Sequence, residues 1–191
     1  NKSLFEMTVD RNSHLANKVM VVGNVDNHHL SGKVMDKTKT SYLNIVEATP
    51  RNTAAAIAFA AFASDPDDIL VVTPSDHIID KMEDYNKAIN EAVLKAEDGF
   101  IVTFGIIPTK PETGYGYIES KSDKVISFRE KPNETTAKDF IAKGNFLWNS
   151  GMFCFKAQVL LDELIQFQPE VYEKSKAVWE SNNEGFLDLN L

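Results

Sequence analysis

Residues 69–77 read Ile69-Leu70-Val71-Val72-Thr73-Pro74-Ser75-Asp76-His77, an apolar run that ends in small and polar side chains. The run shows no polar alternation, as expected for a strand of a parallel sheet with helices on both faces. Downstream, apolar residues keep strict helical spacing at Tyr85, Ala88, Ile89, Ala92, Val93 and Ala96. This strand and helix predict one repeat of an α/β sheet.

Strands and helices alternate on both sides of this repeat. The further strands are predicted at residues 19–23, 43–46 and 101–106, and the further helices at residues 3–12 and 54–63. A polar segment, residues 24–40, interrupts the alternation. The pattern predicts an α/β fold with a Rossmann-like, doubly wound, mostly parallel sheet and helices on both faces.

The pattern changes after Pro108, where shorter strands begin. Residues 115–120 and 125–129 predict a hairpin, and a helix is expected from Pro132-Asn133 to Ile141, ended by Gly144. An extended segment at residues 146–155 and a helix that stops near Pro169 follow. We therefore expect a single domain with two portions, residues 1–107 and a smaller β-rich portion within residues 108–191.

Composition excludes several classes of protein. The 191 residues carry a formal net charge of −8, and no cluster of Lys and Arg is interleaved with aromatic residues, so no nucleic-acid partner is expected. No apolar run approaches the roughly 20 residues that span a bilayer, and no signal peptide is visible. Cys154 is the only cysteine and lies in an apolar strand. We expect a cytoplasmic chain with no membrane segment and a packed structural thiol.

Ligands of open α/β sheets bind beyond the carboxyl ends of the strands, so residues that follow strands are the candidates. Asp76 follows the strand at residues 69–73 and could ligate Mg²⁺, or it could merely cap a turn. Glu47 ends an earlier strand and leads to Arg51, Asn52 and Thr53 before an apolar helix. The helix N-terminus and Arg51 favour an anion, although Asn52 or Thr53 could be an ordinary N-cap.

The second portion offers two further candidate elements. Residues 113–117, Thr-Gly-Tyr-Gly-Tyr, contain a second glycine, Gly116, where a backbone could approach a ligand closely. Glu130 and Lys131 follow the predicted strand at residues 125–129, where one could bind sugar hydroxyls and the other a phosphate. A turn and a solvated run of charges explain the same residues without a ligand.

Five stretches of the chain form a set when taken in order. They are Glu47-Ala48-Thr49-Pro50-Arg51-Asn52-Thr53-Ala54, Pro74-Ser75-Asp76-His77, Thr113-Gly114-Tyr115-Gly116-Tyr117-Ile118, Phe128-Arg129-Glu130-Lys131-Pro132 and Phe146-Leu147-Trp148-Asn149-Ser150-Gly151-Met152-Phe153. In this order they resemble the bacterial mannose-1-phosphate guanylyltransferases, and the last stretch is the most distinctive. The resemblance implies the fold of the nucleotide-diphospho-sugar transferases and covers the middle of their catalytic domain.

The resemblance also implies a reaction, in which GTP and mannose 1-phosphate give GDP-mannose and pyrophosphate with Mg²⁺. It assigns the metal to Asp76 and the nucleotide to Glu47, Arg51, Asn52 and Thr53. It assigns the sugar to Gly116, Glu130 and Asn149, and the sugar phosphate to Lys131. Catalysis would then be positioning and charge neutralisation, with Lys131, Arg51 and Asp76 as the catalytic residues. We expect one cleft to bring together Asp76, Arg51, Glu130, Lys131 and Asn149.

The sequence also departs from the family. The family opens with a Gly-rich loop carrying Arg and Lys, and no such loop is present here. We therefore expect the chain to be truncated at both ends and not to catalyse nucleotidyl transfer alone. A sister nucleotidyltransferase for another sugar 1-phosphate and a non-catalytic sugar-nucleotide-binding module remain the alternatives. The oligomeric state, including a homo-oligomer, stays open.

Overall fold

The computed structural model describes residues 2–38, 40–47, 49 and 53–181. The helices are α1 (Leu4–Asn12), α2 (His28–Thr38), α3 (Thr53–Phe62), α4 (Met82–Glu97), α5 (Glu134–Lys143), α6 (Ala157–Phe167) and α7 (Pro169–Ser181). The strands are β1 (Val19–Asn24), β2 (Tyr42–Glu47), β3 (Ile69–Val72), β4 (Val102–Ile106), β5 (Tyr117–Lys121), β6 (Lys124–Arg129) and β7 (Phe146–Lys156). Within these residues, no helix is long and apolar enough to cross a membrane.

The described residues form two compact units, one from Asn1–Ile101 with Cys154–Leu191 and the other from Val102–Phe153. The sequence pattern predicts a division after residue 107 instead. The units differ from that division because the chain returns to the first unit at Cys154, near the end of β7, and α6 and α7 follow there. We call them the first and the second unit.

The first unit is built around parallel strands and the helices that cover them. The register of β1 and β2 runs from Val19 opposite Tyr42 to Asn24 opposite Glu47, so both strands end at the same edge. α1 begins at the N-cap Ser3, whose Oγ accepts a hydrogen bond from the Glu6 N–H at 3.1 Å. The first unit contains clusters of buried residues. One joins Val9, Val21 and Met35, and another joins Ile45, Phe59 and Ala60.

The two C-terminal helices of the first unit pack against α3. The rings of Phe62 in α3 and Trp179 in α7 are stacked with centroids 6.2 Å apart. The helix that the sequence predicts to stop near Pro169 is α6, which ends at Phe167, so this prediction is confirmed. α7 is not predicted from the sequence; it begins at Pro169, because proline is tolerated in the first turn of a helix.

The second unit is an antiparallel arrangement covered by one helix. β5 pairs with β6 on one side and with β7 on the other, both antiparallel. α5 is capped by Asn133 and ends at Gly144, which is left-handed with φ 74° as the predicted stop requires. Phe140 of α5 stacks on Phe146 at 4.0 Å between ring centroids, so the helix is fixed on the sheet.

The α/β class is confirmed, and so is the predicted hairpin. The strand pairing is mixed: β1 and β2 are parallel, β5 and β6 form the antiparallel hairpin, and β7 is antiparallel on the other side of β5. One feature differs from the expected pattern. The polar segment at residues 24–40 contains α2, in which Met35 is the buried residue. A single buried position gives too little helical periodicity to be seen in the sequence.

Candidate functional site

Three candidate residues meet in the second unit because of the strand register. Tyr117 of β5 lies opposite Arg129 of β6 and opposite Trp148 of β7. The residues one step beyond this row are Gly116, Glu130 and Asn149, and the Asn149 N–H donates to the Gly116 carbonyl at 2.8 Å. The register therefore places Gly116 between the other two.

Gly116 lies between two polar side chains and lets one of them approach its backbone closely. A Cβ at this position would lie 2.9 Å from Glu130 Oε2 and 3.6 Å from Asn149 Cβ. The Asn149 Oδ1 accepts a hydrogen bond from the Gly151 N–H at 3.1 Å, which leaves its amide nitrogen to act as a donor. An acceptor and a donor thus flank a glycine that carries no side chain. We call Gly116, Glu130 and Asn149 the glycine cradle.

Lys131 follows the cradle in a backbone conformation that is rare for its residue type. Its φ is 39°, in the left-handed region, and its side chain is exposed. Such a conformation costs about 1–3 kcal/mol and persists where the surrounding structure requires it. Here the chain must turn from β6 into α5, whose N-cap Asn133 accepts a hydrogen bond from the Thr136 N–H at 2.9 Å. The turn therefore fixes the backbone from which the Lys131 side chain extends.

Trp148, in the most distinctive stretch, has a structural environment. It packs against the cluster of Tyr117, Phe140 and Phe146, on the opposite face of the sheet from Asn149. Its ring meets that of Tyr115 edge to face, with centroids 5.3 Å apart. Trp148 thus anchors β7, while its neighbour Asn149 belongs to the cradle.

The first unit holds the remaining candidates that the structure describes. Glu47 is the last residue of β2, and its carbonyl accepts a hydrogen bond from the Val25 N–H at 3.2 Å. Thr53 is the first residue of α3 and is exposed. Arg51 and Asn52 lie outside the described residues. Glu47 therefore lies at the end of a strand and Thr53 at the start of a helix, as the sequence indicates. Nucleotide binding by Glu47, Arg51, Asn52 and Thr53 stays a prediction.

Asp76 lies in a turn four residues beyond the end of β3, and its side chain is 76% exposed. His77 Nε2 lies 3.9 Å from Asp76 Oδ1. Among the described residues, no group of three or more His, Cys, Asp or Glu side chains is arranged to hold a metal ion. A lone exposed carboxylate suits a hard cation that also binds phosphate and water, and does not suit an all-protein cage.

Two side chains of α1 that are not among the predicted site residues also reach this turn. Arg11 and Asn12 of α1 contact His77 and Thr73, on either side of Asp76. Their signal in the sequence is weak, because an Arg near the end of a helix is usually an exposed cation. Arg11 is instead buried, with an exposed fraction of 6%. Convergence of the candidates of the two units stays a prediction.

The chain matches the family described as nucleotidyl transferase over residues 1–188. It is 38% identical to the mannose-1-phosphate guanylyltransferase RfbM of Salmonella typhimurium, over 94% of this chain and 40% of that protein. It is 40% identical to the xanthan biosynthesis protein XanB of Xanthomonas campestris, over 86% of this chain and 37% of that protein. The chain thus spans less than half the length of these curated relatives.

Two solved structures share the fold at recognisable sequence identity. One is described as mannose-6-phosphate isomerase from Helicobacter pylori, with a TM-score of 0.90, 40% identity, and coverage of 94% of this chain and 72% of that one. The other is described as mannose-1-phosphate geranyltransferase from Thermus thermophilus, with a TM-score of 0.81, 28% identity, and coverage of 94% and 55%. Nucleotidyltransferases of the matched family generally use a divalent metal ion.

Proposed function

Because the chain belongs to the nucleotidyl transferase family, we propose that it is part of a mannose-1-phosphate guanylyltransferase. The reaction joins GTP and mannose 1-phosphate to give GDP-mannose and pyrophosphate. Relatives that carry this activity in their names support the choice of substrates. We also propose that the protein acts in the cytoplasm.

The observation that carries the proposal is the glycine cradle. A sugar hydroxyl both donates and accepts hydrogen bonds, and the cradle offers a carboxylate acceptor and an amide donor on either side of a residue without a side chain. Glu130 accepts from one hydroxyl and the Asn149 amide donates to another. Lys131, one residue beyond Glu130, then pairs with the phosphate on the same sugar.

The chemistry requires little covalent work from the protein. A phosphate oxygen of mannose 1-phosphate attacks the α-phosphorus of GTP, a new P–O bond forms, and the bond to the β-phosphate oxygen breaks with release of pyrophosphate. The protein contributes by holding the two phosphates in line and by neutralising charge. Lys131 holds the attacking phosphate. The nucleotide is held at the start of α3 by Arg51, Asn52 and Thr53, and by Glu47 at the end of β2.

Asp76 is the residue that we assign to the metal, and Mg²⁺ is the ion that we propose. An exposed carboxylate with room for water and phosphate oxygens has the donor chemistry that this ion requires. When bound, Mg²⁺ would neutralise charge on the phosphates. We accordingly assign the nucleotide and metal to residues 1–107 and the sugar phosphate to residues 108–191.

The proposal is tested by steady-state kinetics of the natural full-length protein with GTP and either mannose 1-phosphate or glucose 1-phosphate. Lys131→Ala should raise KM for mannose 1-phosphate by about 10-fold or more, because a charge-assisted contact is lost. Glu130→Gln should reduce the preference for mannose over glucose. Lys124→Ala, at the other end of β6, is the matched control and should leave both constants unchanged.

Unchanged constants in the Lys131 variant would remove this residue from the site. A consistent preference for another sugar 1-phosphate would instead identify a sister nucleotidyltransferase. Binding of sugar phosphate without turnover would identify a binding module.

A further inference from the structure

Arg11 is a buried cation whose partners, among the residues that the structure describes, are neutral. The Arg11 Nη1 donates to the His77 carbonyl oxygen at 3.3 Å, and Nη2 donates to Thr8 Oγ1 at 3.1 Å. The guanidinium lies over the ring of Tyr85 at 5.4 Å from its centroid. Burial of a charge is costly unless its environment compensates it. The burial of Arg11 near the end of α1 is therefore not explained by helix formation alone.

Asn12, the next residue, makes a second connection from α1. Its Nδ2 donates to the Thr8 carbonyl at 2.9 Å and lies 3.5 Å from Thr73 Oγ1, a long contact. The Tyr85 hydroxyl donates to Asn12 Oδ1 at 2.6 Å, which fixes the orientation of the amide. Tyr85, in α4, thus contacts both Arg11 and Asn12.

These contacts hold the segment that carries Asp76 at both of its ends. Thr73, just after β3, is held through Asn12, and His77 is held through Arg11. Asp76 lies between the two held residues, with its carboxylate exposed. The last turn of α1 therefore contacts the chain on both sides of Asp76, and these contacts do not involve the Asp76 carboxylate.

We propose that Arg11 is a positioning residue that holds the turn of Asp76 in the conformation required for binding a divalent metal ion. This inference rests on the proposed role of Asp76 as a metal ligand. Arg11 acts through the His77 carbonyl and does not touch metal or substrate. An arginine suits this position because its planar fork donates in two directions at once while its face stacks on Tyr85.

The test uses Mn²⁺ alone as the probe, without nucleotide, on wild type, Arg11→Met and Arg11→Lys. Paramagnetic broadening of the His77 ring resonance measures Mn²⁺ affinity, and amide hydrogen exchange measures the opening of residues 74–78. Arg11→Met should weaken Mn²⁺ binding by about 10-fold, as losses of outer-shell partners of metal sites do, and should speed exchange in this segment. Arg11→Lys retains one donor and should restore part of the affinity.

Glu6→Gln is the matched control for general loss of stability. Glu6 lies on the same helix and pairs with Lys37 Nζ at 2.8 Å, away from the turn of Asp76. This variant should unfold more easily than wild type and bind Mn²⁺ with unchanged affinity. In the full-length protein, Arg11→Lys should raise the Mg²⁺ concentration for half-maximal rate and leave KM for mannose 1-phosphate unchanged.

Asp76→Asn separates failure of this inference from failure of the metal assignment. If Asp76→Asn abolishes Mn²⁺ binding while Arg11→Met binds as wild type, the metal assignment stands and the role of Arg11 is overturned. Equal weakening in Glu6→Gln and Arg11→Met would also overturn it, since the effect would then be one of stability. Unchanged binding in Asp76→Asn would overturn the metal assignment and this inference together.

Discussion

Substitution of Gly116 by alanine tests the glycine cradle without removing any functional group. The added Cβ would lie 2.9 Å from Glu130 Oε2, closer than carbon and oxygen tolerate, so the carboxylate must move. Because the obstructing atom is the end of a flexible and exposed side chain, the move costs little folding energy. The carboxylate then leaves the position from which it would accept a sugar hydroxyl.

The expected loss follows from that single displaced hydrogen bond. A hydrogen bond to a charged group contributes about 1.5–3 kcal/mol, which corresponds to roughly 10- to 100-fold in affinity. Calorimetric titration with mannose 1-phosphate measures this loss, and thermal unfolding should show a midpoint within a few degrees of wild type. Stability should change by less than about 1 kcal/mol.

Gly114→Ala is the control, two residues earlier in the same stretch. Its Cβ would lie 3.5 Å from Glu112 Oε1, an ordinary van der Waals contact, so affinity should be retained. If Gly116→Ala folds normally and binds mannose 1-phosphate as tightly as wild type, the sugar does not occupy the cradle and the reasoning fails.

Three further predictions concern stability. Burial raises the pKa of the Cys154 thiol from 9.0 to about 11, so the free energy of unfolding should fall as pH rises from 9 towards 11, where only the unfolded thiol ionises. The fall should reach about 2–3 kcal/mol relative to Cys154→Ala in denaturant titrations across this range; equal slopes in both proteins would contradict it. Gly105→Ala would place a Cβ 2.5 Å from Leu147 Cδ1 and should cost about 1–3 kcal/mol by chemical denaturation, and a neutral effect would show that β4 and β7 separate easily. Ser3→Ala removes the N-cap of α1 and should cost about 1 kcal/mol by the same measurement, whereas Ser3→Thr should cost less.

The elements of the fold that the sequence predicts are those with a strong local signal. β3 is an uninterrupted apolar run, and α4 has a regular apolar stripe, so both are confirmed within a few residues. α2 and α7 are not predicted from the sequence because each buries few positions, Met35 in α2 and Ser175 in α7. The return of the chain to the first unit at Cys154 depends on strand pairing that no local pattern encodes.

The candidate site likewise has some features that can be predicted from the sequence and others that cannot. That Asp76 and Glu130 follow strands can be predicted, because strand ends are visible in the sequence. The position of Gly116 between Glu130 and Asn149 cannot, because it depends on the register of β5 with two neighbours. The burial of Arg11 cannot be predicted either, because its contact with His77 joins residues that are 66 positions apart in the sequence.

The central claim is that this chain serves the synthesis of GDP-mannose. The direct measurement is mass spectrometry of the products formed by the natural full-length protein from GTP, Mg²⁺ and an equimolar mixture of mannose, glucose and galactose 1-phosphates. We predict that GDP-mannose forms in excess over the other nucleotide sugars, with one pyrophosphate released for each molecule, and that Glu130→Gln reduces this excess. Formation of a different nucleotide sugar in excess, or consumption of GTP without any nucleotide sugar, would contradict the claim.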